Sequence, residues 1–95
     1  MPVKVIIPAF FRHLTSDESE ILFSVPPGGL NLKHLFEELE KLHPGLQSGV
    51  FGRDGKPKRF AGLFVNSKPY QSLQGIYTCL VDNDVVELTS AVVQE

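Results

Sequence analysis

The sequence predicts an α+β domain in which one helix packs across one face of a small sheet. Three observations carry that prediction. Apolar residues alternate at Val3, Val5 and Ile7 and again at Ile21, Phe23 and Val25, the period-two pattern of strands with one dry face. Leu32, Leu35, Phe36, Leu39 and Leu42 recur at spacings of three and four, which places them on one helical stripe. Val86 and Leu88 restore the alternation close to the end.

The first strand carries Lys4 on its wetter face and stops near Pro8. Phe10, Phe11 and Leu14 are too apolar for a free loop, and the polar run Thr15-Ser16-Asp17-Glu18-Ser19 turns the chain. The two opening strands therefore form an antiparallel hairpin. Pro26-Pro27-Gly28-Gly29 ends the second, because proline lacks a ladder donor and glycine weakens a strand. Asn31 is placed to cap the helix, with Leu30 ahead of it packing on Leu35 as a hydrophobic staple. Glu37 and Lys41 add a weak pair, and His43-Pro44-Gly45 stops the helix.

From Leu46 to Arg59 the sequence reads as a long loop with short local structure, anchored by Leu46, Val50 and Phe51 and carrying Arg53, Lys56, Lys58 and Arg59. Phe60 to Val65 is a largely buried strand, closed by the turn residues Asn66-Ser67-Lys68-Pro69. Leu73 to Leu80 fits either a short strand or a turn, and Asp82-Asn83-Asp84 turns the chain into the last strand. The expected organisation is one domain over residues 1–88 followed by a tail over 89–95.

Composition narrows the function. The 95 residues are 42% hydrophobic and 21% charged, ordinary globular usage. A net charge of −2 argues against a dedicated nucleic-acid binder. The single cysteine, Cys79, excludes an internal disulfide and any site built from several thiols; it reads as a small buried hydrophobe. No apolar run is long enough to span a bilayer and no export signal is visible, so a cytoplasmic protein without membrane contact is expected. His13, His34 and His43 are scattered, without the spacing of a helical zinc site, so neither metal nor cofactor is expected.

The element order and four stretches together resemble one family. They are V-K-V-I-I-P-A-F-F-R-H-L-T at the start, N-L-K-H-L-F-E-E-L-E-K-L in the helix, K-R-F-A-G-L-F-V-N-S in the middle strand, and L-V-D-N-D-V-V-E-L-T-S-A-V-V-Q-E at the end. They are similar to the ubiquitin-like sulfur carriers of MoaD/ThiS type. These include the molybdopterin synthase small subunit, the thiamine-pathway carrier and a carrier for cysteine synthesis, and I-P-x-x-x-R-x-x-T is nearest the last. The resemblance implies a β-grasp fold: a mixed sheet of four to five strands with one main helix across one face. It also implies a non-enzymatic carrier whose C-terminal tail enters an activating adenylyltransferase or a sulfur-transfer synthase subunit. The chain would then be a monomer or one subunit of a hetero-oligomer.

In that family the tail commonly ends in two glycines, which thread a narrow channel and bring backbone close to a nucleotide. Here Ser90, Ala91, Val92, Val93, Gln94 and Glu95 form the tail, and Gln94 and Glu95 stand at the glycine positions. The bulk of both side chains and the added carboxylate of Glu95 oppose adenylation. A second reading follows: a protein-interaction or regulatory module that keeps the fold without the acyl chemistry. For either reading the expected partner-binding surface is the open sheet face, made by Ile6, Phe60, Phe64 and Val85 with Arg59 beside them. The basic cluster 53–59 reads as a solvated loop or as a patch for an acidic partner surface.

Overall fold

A computed structural model describes residues 2–53, 55–58 and 61–90. Strands β1 (Val3–Ile6), β2 (Glu20–Phe23), β4 (Ala61–Val65), β5 (Lys68–Pro69) and β7 (Val85–Ser90) form a mixed sheet in the order β2-β1-β7-β4-β5. A second ladder joins β3 (Leu30–Asn31) to β6 (Cys79–Leu80). The hairpin read from the sequence is present, with Val3 opposite Phe23 and Val5 opposite Ile21. The sheet centre is the parallel pair β1 and β7, in which Val5 lies beside Val86, and β7 pairs antiparallel to β4 through Leu63 and Leu88. This mixed five-stranded sheet under one main helix is the ubiquitin-like β-grasp fold.

Helix α1 (Leu32–Leu42) covers the sheet with Leu32, Leu35, Phe36 and Leu39, all fully buried. Asn31 caps it, its Oδ1 accepting the His34 backbone N–H at 2.7 Å. Leu30 and Leu35 are both buried, as a staple requires. Leu42 leaves the stripe and is 61% exposed, because the helix ends there and His43 turns the chain away. The segment Ala9–Leu14, too apolar for a free loop, is a 3-10 helix, with Phe11 buried and meeting Phe10 edge-on at 5.0 Å.

The stretch expected as a long loop contains a second helix, α2 (Leu46–Val50). Glu40 of α1 builds its N-terminus, since its two carboxylate oxygens accept the Gly45 and Gln47 N–H groups at 2.8 Å each. Gly45 enters with φ near 99°, a conformation natural to glycine. At Gly49 a Cβ would lie 2.5 Å from Leu14 Cδ1, so any side chain there displaces Leu14. Cys79 is exposed rather than buried, because the two-residue strand β6 turns Leu80 inward and Cys79 out.

Candidate functional site

The alternation that fills the core also sets the opposite face. Register places Ile6 beside Glu87 and Glu87 beside Phe64, and Lys4 beside both Leu22 and Val85. Ile6, Phe64 and Val85 thus share the sheet face turned away from α1, and each is half-buried. Arg59 and Phe60 lie outside the described residues, as do Ala91, Val92, Val93, Gln94 and Glu95. Thr89 and Ser90, read from the sequence as the start of the tail, continue β7 and pair with Gly62 and Ala61.

Three further residues belong to this face. Leu22 is 62% exposed on β2, and Glu20 and Glu87 flank Ile6 in register. Their signal was present in the sequence as the odd members of the Ile21-Phe23 and Val86-Leu88 alternations. The face is therefore an apolar strip crossed by carboxylates, with a hollow of about 210 Å³ beside Phe64, Pro69 and Tyr70. Such a surface suits a partner that offers apolar side chains together with donors or cations.

Charged side chains along α1 pair with one another. Lys41 donates to Glu38 at 2.9 Å and so holds the Glu38 carboxyl below its usual range, with His34 adding a weaker attraction. The same bond raises the Lys41 ammonium. Lys41 is exposed on α1 and Glu38 is half-buried. His34 approaches Glu38 at 3.8 Å and His43 approaches Glu18 at 3.9 Å, too far for hydrogen bonds. Among the described residues no group of three or more His, Cys, Asp or Glu could hold a metal ion, and no helix is long and apolar enough to cross a membrane.

No family model matches the chain, and no curated protein does. Solved structures do. A chain of the Amycolatopsis orientalis BexX/CysO complex superposes with a TM-score of 0.83 at 22% identity, covering 98% of this chain and 99% of that one. CysO of Mycobacterium tuberculosis, described as an antigen, gives 0.81 at 27% identity, over 95% and 99% of the two chains. A putative molybdopterin converting factor, subunit 1, from Pyrococcus furiosus gives 0.72 at 28% identity, over 97% and 99%. The chain is similar over nearly its whole length to β-grasp sulfur carriers, the family its sequence resembles.

Proposed function

We propose that this chain is a non-catalytic, ubiquitin-like protein of the sulfur-carrier kind, cytoplasmic, whose last residues, 91–95, dock into an activating adenylyltransferase or a sulfur-transfer synthase subunit. The observation that carries the reading is the end-to-end likeness to CysO at 27% identity, together with the CysO of another organism being found in a complex. Strand β7, which runs to Ser90 beside Ala61 at the end of the sheet, is consistent with that reading. The open face then provides a second contact through Ile6, Phe64 and Val85, with Arg59 and Phe60 adjoining in sequence.

Gln94 and Glu95 favour a second reading, an interaction module without acyl chemistry. Adenylation joins the terminal carboxylate to the nucleotide phosphate with loss of pyrophosphate, and a second carboxylate at Glu95 repels that phosphate. One experiment separates the readings: binding and pyrophosphate exchange with a purified adenylyltransferase of the carrier type. Docking predicts that deletion of residues 91–95 abolishes binding, and that Gln94→Gly with Glu95→Gly raises exchange at least about tenfold. Binding that survives the deletion and is lost in Phe64→Ala instead supports the interaction module and overturns the docked tail.

A further inference from the structure

A cleft of about 750 Å³ opens on the helical side of the molecule, between α1 and the loop that follows α2. Its walls include Lys33 and Glu40 of α1, Gln47 of α2, and Phe51, Arg53 and Lys58 of the loop. Among the described residues, three cations and one carboxylate therefore line it, a local positive excess in a chain whose net charge is −2. Glu40 offsets one of the three charges, and both of its oxygens are directed to the Gly45 and Gln47 N–H groups at the start of α2 rather than to a cation.

The backbone of the loop is tied down. Lys58 N–H bonds to Val50 O at 2.8 Å, Gly52 N–H bonds to Lys56 O at 2.9 Å, and Phe51 bridges to Pro57. Arg53 and Lys58 make no ion pair among the described residues. Lys33 meets Glu37 at 3.3 Å with both side chains about half exposed, a contact weak enough to be exchanged. The sequence marked Arg53, Lys56, Lys58 and Arg59 as a basic cluster; the fold adds Lys33 from a distant position and supplies the cleft.

The occupant follows from size and from what is missing. The volume exceeds that of one inorganic anion and suits several side chains. The Phe51 ring is 9% exposed and packs edge-on against Phe36 at 5.0 Å, so it offers no free face on which a base could stack. We propose that this cleft is a docking site for an acidic peptide segment of a partner protein, its carboxylates held by Lys33, Arg53 and Lys58. The site is independent of the C-terminal docking proposed above and stands if that reading fails.

The test uses the full chain and a labelled extended peptide in which glutamates alternate with leucines, followed by fluorescence anisotropy and by amide NMR shifts. Saturable binding is expected, with the largest shifts at Gln47, Gly52 and Gly55, and weakening as salt rises from about 0.05 M to about 0.5 M. Arg53→Glu and Lys58→Glu are each expected to weaken it at least about tenfold, while Lys68→Glu, on β5 and outside the cleft lining, leaves it unchanged. Phosphate and a uridine oligonucleotide are expected not to compete. The proposal is overturned by absence of binding, by equal effects of Lys68→Glu and Arg53→Glu, or by an oligonucleotide that binds as tightly as the peptide. Thermal melting of each variant verifies that it is folded.

Discussion

The two faces of the sheet are built from the same strands and differ in almost everything else. On the face under α1, Val3, Val5, Leu63, Val65, Val86 and Leu88 are each 5% exposed or less. One residue along each strand lie Lys4, Ile6, Phe64, Val85 and Glu87, half-buried or exposed. Strands alternate by geometry, so neither set could exist without the other. The difference lies in what covers them. Burial beneath a helix selects close-packed aliphatic side chains, whereas the open face keeps apolar residues that packing within the domain does not require, and interleaves Glu20 and Glu87.

The sharpest way to break this contrast is Leu63→Ala. Leu63 is 1% exposed and sits opposite Leu88, so removing its branched end leaves a cavity in the core beside β7. A loss of about 2–5 kcal/mol is expected in denaturant unfolding. A loss below about 1 kcal/mol would mean that the covered face is loosely packed and that the two faces differ less than their exposure indicates.

How much of this was legible in the sequence depends on the range of the interaction. The hairpin, α1 and its Asn31 cap were readable because period, spacing and capping chemistry lie within a few residues of one another. Helix α2 was not, because one determinant, Leu14, meets it at Gly49 from 35 positions away, and the other, Glu40, sits inside α1 and accepts its first N–H groups across the Pro44-Gly45 turn. Glycine within residues 46–58 reads locally as loop and tertiary contact overrides it. Cys79 was misread for a similar reason, since its exposure follows from pairing with Asn31 across 48 positions of chain. The cleft drew on Lys33 and Arg53, which no local pattern connects. Of the open face, the parity of Phe64 was legible in its strand, but its neighbourhood with Ile6 required the non-local order β1-β7-β4.

The cover itself can be loosened without touching the core. Asn31→Ala removes the acceptor for His34 N–H and is expected to cost about 1 kcal/mol, less than Leu63→Ala because the stripe of α1 stays buried. Asn31→Ser, which retains a capping oxygen, is expected to recover most of it. If both variants lose equally, the ladder of Asn31 with Cys79, and not the cap, is what holds the start of α1.

Leu22→Ala sharpens the contrast from the other side. Leu22 stands 62% exposed on β2, one of the two edge strands, next to Lys4 in register. An apolar side chain left in water contributes little to folding, so the expected change is within about 0.5 kcal/mol. The same substitution is expected to weaken binding of any partner seated on the open face, because there Leu22 would be buried for the first time. A folding loss well above that value would show instead that this face is already covered in the isolated protein. Dilution then identifies the cover: a loss that vanishes at low concentration points to a second copy paired at the β2 edge, and one that persists points to a segment of the same chain.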